Sequence, residues 1–317
     1  MPTPQSFRLL RLLVCRVALV SLGQLVAGET TMALAPFREV GKDAKWGYAD
    51  NKGKLVIQAN YDNAQPFSEG LAAVGQGKLW GYIDVTGAVV IPTTLSIATS
   101  FSEGLAGVYD NSGWHYIDTR GKTAFAVSEC NSLGKFCEGL AAAYKSTSVE
   151  GQDGTTQYFD KQGNLILSIT GFGGDFHEGL AELSILNSND KSAHLCGFID
   201  KQGKTQIQPL FAEVMDFSEG LAVVRPKKTT PHYYMGDAWG FIDKAGKYVI
   251  EPHYNQAFSF IGGFAIVHSG GEIKEARHVP PYFVGGEWLL IDKKGQVLKR
   301  GAEYKEIETE CNALKKN

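Results

Sequence analysis

Apolar and polar positions along most of the chain fall into short alternating runs broken by turn residues, and one such stretch shows the grammar. Trp80-Gly81-Tyr82-Ile83-Asp84 is aromatic and β-branched, which suits a strand. Asp84 opens a turn by accepting hydrogen bonds from backbone two residues on, and Gly87 supplies the positive φ that closes it with a bulge. Ala88-Val89-Val90-Ile91 returns as a second strand, and Pro92 removes a donor and ends the ladder. Ser102-Glu103-Gly104 makes another turn, and Leu105-Ala106-Gly107-Val108 reads as a third strand. The pattern predicts a unit of three short antiparallel strands.

The unit recurs. Asp-x-x-Gly appears at Asp50, Asp84, Asp118, Asp160, Asp200, Asp243 and Asp292, with spacings of 34, 34, 42, 40, 43 and 49 residues. Four residues before the Asp stands Trp46, Trp80, Trp114, Trp239 or Trp288; Thr156 and Cys196 take that place in repeats four and five. A second block follows each hairpin: Phe67 to Ala72, Phe101 to Ala106, Phe136 to Ala141, Phe176 to Ala181 and Phe217 to Ala222, with Phe260 to Ala265 as a degraded sixth copy. One such unit cannot bury its faces alone, and stacked neighbours can. The recurring aromatic and aliphatic positions are therefore expected in the core.

Taken together, Trp80-Gly81-Tyr82-Ile83-Asp84-x-x-Gly87, Val90-Ile91-Pro92 and Phe101-Ser102-Glu103-Gly104-Leu105-Ala106 resemble the bacterial WG-repeat family over about residues 45–298. Trp46-Gly47, Trp80-Gly81 and Trp239-Gly240 keep the Trp-Gly pair, whereas Trp114-His115 and Trp288-Leu289 depart from it. The resemblance implies a β-rich repeat scaffold serving interaction and brings no catalytic residues.

The expected fold is all-β: tandem repeats of three-stranded antiparallel units over 45–298, forming an open superhelical or solenoid-like array. A seven-bladed β-propeller is the alternative; it fits the count of seven, but 34-residue units are short for four-stranded blades. Residues 299–317 are expected to form a short capping helix or a tail. Tyr304, Ile307, Cys311 and Leu314 lie three or four apart on one helical face, with Lys315 and Lys316 suited to its C-terminus.

Residues 1–28 carry Arg8, Arg11 and Arg16, then an apolar run from Val17 to Ala27, then small residues, the order of a signal peptide cut near Gly28. Residues 29–44 form an N-terminal extension. Export to the periplasm, cell surface or medium is the expectation. The net charge of −3 becomes −6 without the leader, which argues against nucleic-acid binding. No apolar run reaches the roughly 20 residues of a membrane span. In an oxidising compartment Cys130 and Cys137 could pair, but a chain of 317 residues has no need of the staple, and unpaired thiols are the alternative.

Chemistry is sparse. Gly197 to Thr205 has five residues between its glycines where a phosphate loop needs four. The seven histidines show no metal-ligand spacing along the chain, and no nucleophile elbow occurs. Glu69, Glu103, Glu138, Glu178 and Glu219 recur at every turn, so a structural role accounts for them together. No catalytic, cofactor-binding or metal-binding residue is expected, and no cofactor.

Asymmetry enters at one connection. Between the Leu-Ala strand and the next Trp position lie 5, 5, 12, 12, 14 and 20 residues in successive repeats. Equivalent loops of a repeat array emerge on one side, so these insertions should form a ridge. The last two hold Arg225, His232, Tyr233, Tyr234, Arg277, Tyr282 and Phe283, types favoured at binding hot spots, and these are the candidate partner-binding residues. The expected partner is a protein, or alternatively a cell-envelope glycan, which would require accessible Trp faces. An enzyme is the least favoured reading.

Overall fold

The fold is described from a computed structural model. It covers residues 34–41, 44–149, 151–227, 238–276 and 279–314, with the backbone course alone for 191–192 and 272–283. The signal-peptide expectation lies outside the described residues. The described residues divide into two compact bodies: those up to 111 with 117–122, and 112–116 with those from 123 onward.

The architecture is all-β, with antiparallel sheets and one C-terminal helix. In the first body a three-stranded sheet, Ala35–Arg38, Trp46–Ala49 and Leu55–Tyr61, is followed by a four-stranded one, Asn63–Ala64, Leu71–Gln76, Leu79–Asp84 and Val89–Leu95. Ile97–Ala98 then pairs with Leu105–Asp110. The second body holds a four-stranded sheet from Ser132 to Thr170 and a seven-stranded sheet from Phe172 to Tyr254. Its last repeat sheet orders Gln256–Ala257, Phe264–Ser269, Glu287–Asp292 and Val297–Gly301.

The three-stranded unit expected from sequence is corrected to four strands. The added strand is a two-residue segment before the Phe block, such as Asn63–Ala64 against Val74–Gly75, except before Phe217, where the end of Thr205–Val214 takes its place. Two residues carry no readable alternation, so pattern alone misses it.

The turns form as their chemistry requires. Asp84 Oδ1 accepts from Thr86 N at 2.9 Å and Ala88 N at 3.0 Å, Gly87 N donates to Asp84 O, and Gly87 has φ 87°. Ser102 and Leu105 exchange both backbone hydrogen bonds around Glu103 (φ 53°) and Gly104 (φ 88°), a two-residue hairpin with both central residues left-handed.

The glycine after Trp has a different cause. Trp80 pairs with Leu95 and Tyr82 with Ile91, so the returning strand carries two extra residues there. The resulting bulge presses on Gly81, where a Cβ would stand 2.5 Å from Ile91 O. Gly47, Gly197 and Gly240 meet the same obstruction at 2.4, 2.3 and 2.6 Å, each beside the same register shift.

Within each body, successive repeats stack through a repeated set of contacts. Tyr48, Tyr82, Tyr116 and Tyr158 are fully buried, and each hydroxyl donates to a backbone carbonyl: Gln65, Thr99, Gly134 and Gly174 respectively. Burial raises all four phenols well above their ordinary pKa. Each ring meets the next block's Phe, as Tyr82 meets Phe101 at 4.8 Å, an arrangement aromatic pairs favour. Hairpin glycines seat on the preceding returning strand, Gly87 over Ile57 and Gly246 over Ile207.

The helix spans Tyr304–Leu314 and buries Ile307 and Cys311 against Ile266 and Leu290, closing the apolar face of the last sheet. Lys315 and Lys316 lie outside the described residues. No helix among the described residues is long and apolar enough to cross a membrane.

Candidate functional site

The recurrent glutamates are used by the scaffold. Glu69 accepts from Gly104 N at 2.8 Å, Glu138 from Gly179 N at 3.0 Å, Glu178 from Gly220 N at 3.0 Å, and Glu219 from Gly262 N and Gly263 N. Each carboxylate thus caps the corresponding turn of the next repeat. A hairpin lysine closes three of these contacts from the far side: Lys201 on Glu138, Lys244 on Glu178 and Lys293 on Glu219, each at 3.1 Å. Burial alone would raise the Glu138 and Glu219 carboxyls, yet the lysine and the turn N–H groups outweigh it and hold both below the usual range. This explains why glutamate tolerates a positive φ of 52–54°. The sixth block has Gly262 there (φ 66°), with no seventh copy of the turn left to cap.

The five tryptophans are half-buried. Trp80, Trp239 and Trp288 pack against core clusters. Arg38 covers Trp46 at 5.8 Å and Arg225 covers Trp239 at 5.7 Å, occupying the faces on which a sugar would stack. Where Trp is lost, the site is filled otherwise. Buried Thr156 donates to Gly171 O and accepts from Gly173 N, and the buried Cys196 thiol reaches Ser184 Oγ at 3.6 Å.

Among the described residues, two of the long insertions form hairpins, while 146–149 and 151–154 carry no strand. The fourth insertion, between Leu183 and Cys196, lengthens Leu180–Asn187 and Asp190–Asp200 into one long pair. The longest makes an added ribbon, Glu272–Ala276 against Val279–Val284, with Lys274 opposite Tyr282 and Ile273 opposite Phe283. Two insertions abut: Leu186 N donates to both Asp153 oxygens at 3.0 Å, and His194 Nε2 lies 3.9 Å from that carboxylate. Of the candidate partner-binding residues, Arg225 pairs with Glu213 at 3.1 Å besides covering Trp239. Tyr282 and Phe283 are placed by backbone register on the added ribbon, while His232, Tyr233, Tyr234 and Arg277 lie outside the described residues.

One grouping escaped the sequence reading. Cys137, Asp175 and His177 present thiol, carboxylate and imidazole atoms all within 4.8 Å of one another. Among the described residues no disulfide joins Cys130 to Cys137. In the first body a cavity of about 310 Å³ is lined by Asn60, Tyr61, Gln76, Tyr82, Thr93 and aliphatic neighbours, with no carboxylate, imidazole or thiol among them.

No curated protein matches the sequence. Among solved structures, one described as the eukaryotic initiation factor is 10% identical with a TM-score of 0.56, covering 84% of this chain and 74% of that one. The Pyrococcus horikoshii acylaminoacyl peptidase is 11% identical with a TM-score of 0.44; the match covers 88% of this chain and 54% of that one. The first likeness concerns the fold alone. The model of the WG containing repeat matches residues 46–80, 80–114, 197–227 and 239–271, the four repeats whose glycine faces a bulge, and the chain is a WG-repeat family protein.

Proposed function

We propose that the protein is an exported, non-catalytic scaffold that binds a protein partner through the insertion edge of its later repeats. One observation carries the reading: the side chains that recur in phase are engaged by the scaffold itself. The glutamates cap turns and Arg38 and Arg225 cover tryptophan faces, whereas the insertions diverge in length and content. An enzyme needs convergent polar groups, and the recurrent acids are spread one per turn. The half exposure of the five tryptophans keeps envelope-glycan binding as the second reading.

Affinity capture with the full chain from an extract of its source tests the edge. Tyr233→Ala with Tyr282→Ala is expected to weaken capture of the recovered partner by about 1–2 kcal/mol with little change in melting temperature. A lower melting temperature with unaltered capture would make these rings packing groups. Export is tested by N-terminal sequencing; an intact Met1 in a cytosolic fraction contradicts it. The open array is kept as the proposed arrangement, with the seven-bladed propeller as its alternative. Small-angle X-ray scattering separates a compact disc from an extended superhelix.

A further inference from the structure

The second residue of each turn block is Ser68, Ser102, Cys137, His177, Ser218 and Ile261 in order. Ser68 and Ser218 donate to the carbonyls of Phe101 and Phe260 at 2.7 and 2.6 Å, stitching one turn to the next. At the third and fourth turns that hydroxyl is replaced by a thiol and an imidazole, both common metal ligands. The repeat phase sets them side by side: Cys137 Sγ lies 4.0 Å from His177 Nε2. Two carboxylates join them from the position before the block's Phe. Asp175 completes the three-residue grouping, and Asp216 Oδ2 lies 3.4 Å from the same His177 nitrogen. Gly134 makes room for Asp175, since a Cβ there would stand 2.9 Å from its Oδ1.

We propose that Cys137, Asp175 and His177, with Asp216 as fourth ligand, bind a zinc ion that bridges three successive turns of the repeat array. The spacing fits. With bonds of about 2.1 Å to nitrogen or oxygen and about 2.3 Å to sulfur, tetrahedral ligands stand about 3.4 Å apart for N and O and about 3.6 Å for N and S. His177 Nε2 stands 3.4 Å from Asp216 and 4.0 Å from Cys137, and Asp175 lies within 4.8 Å of the thiol and the imidazole, so the two carboxylates must draw in around the ion. A thiolate with an imidazole is a donor set that suits zinc over magnesium or calcium. Binding deprotonates the Cys137 thiol, its proton passing to solvent, and the thiolate with the two carboxylates outweighs the charge of the ion by one, leaving the site singly negative. All four residues are partly exposed, so the ion has an entry path. The proposal is independent of the partner-binding edge, since it uses the turns and not the insertions.

The test is titration of the reduced full chain with Co2+, followed by displacement with Zn2+. One equivalent of Co2+ is expected to give a thiolate-to-cobalt charge-transfer absorption that zinc abolishes. Cys137→Ser should remove the band, and His177→Ser should weaken Zn2+ binding at least tenfold. Serine is the residue of repeats one, two and five at this position, so both variants should retain the wild-type circular dichroism and metal-free melting temperature. Asp216→Asn should weaken binding severalfold, and an unaltered affinity would remove Asp216 from the site. Absence of the band in the wild-type chain, or its persistence in Cys137→Ser, would overturn the proposal.

Discussion

Repeats two and four occupy equivalent places, yet only the second carries the Trp-Gly pair. In repeat two the returning strand gains two residues between the partners of Trp80 and Tyr82, and its backbone crowds Gly81. In repeat four Thr156 pairs with Ile169, Gln157 with Ser168 and Tyr158 with Leu167, in unbroken register. No backbone presses on position 157, and glutamine fits. Repeat seven agrees: Trp288, Leu289 and Leu290 pair in step with Gly301, Arg300 and Lys299, and leucine stands where glycine would. The glycine of the repeat signature therefore records a bulge in the neighbouring strand and not a ligand contact. Its loss marks a straightened ladder, not a decayed repeat.

Breaking this comparison gives the largest expected effect. Gly81→Val should destabilise by about 3 kcal/mol, at the upper end of overpacking costs, whereas Gln157→Val should stay within about 0.5 kcal/mol. Denaturant unfolding, with hydrogen exchange to catch local loosening of one repeat, measures both. Equal effects would show that the bulge does not dictate the glycine. Gly87→Val combines a positive φ of 87° with a Cβ 3.3 Å from Ile57 Cγ2, and should cost about 1–2 kcal/mol.

The turn belt is weaker. Glu219→Gln keeps the shape but removes the charge that Lys293 and two N–H groups share, and should cost about 1 kcal/mol at neutral pH. Because the folded carboxyl titrates below its unfolded value, this contribution is present above about pH 4.3 and is lost as pH falls through the depressed value. Melts of wild type and variant should therefore converge on acidification; a difference that grows instead would reverse the assignment. Lys52→Ala, at an exposed hairpin position, should be neutral within about 0.5 kcal/mol.

Hairpins, repeat phase and C-terminal helix were readable because each rests on local chemistry: the Asp84 side chain on its own backbone, Gly87 at positive φ, Ile307 and Cys311 one turn apart. What local pattern cannot show is what the phase brings together. The two-residue strands have no periodicity. Glu138 meets Gly179 across 41 residues, and Cys137 meets His177 across 40. Both were recoverable by reading the turn blocks in register, where a serine column turns to Cys137 and His177. For the partner-binding edge, the structure adds the ribbon and the packing of Arg225, while Tyr233 and Tyr234 rest on sequence alone.

We propose that the recurrent aromatics hold the scaffold together and do not bind ligand. Trp80→Ala tests it when its melting temperature and its binding to isolated envelope glycan are measured beside the wild type. A clearly lowered melting temperature, or a locally loosened repeat, with no glycan binding by either protein, is the expected result. An unchanged melt in a variant that has lost glycan binding present in the wild type would contradict it.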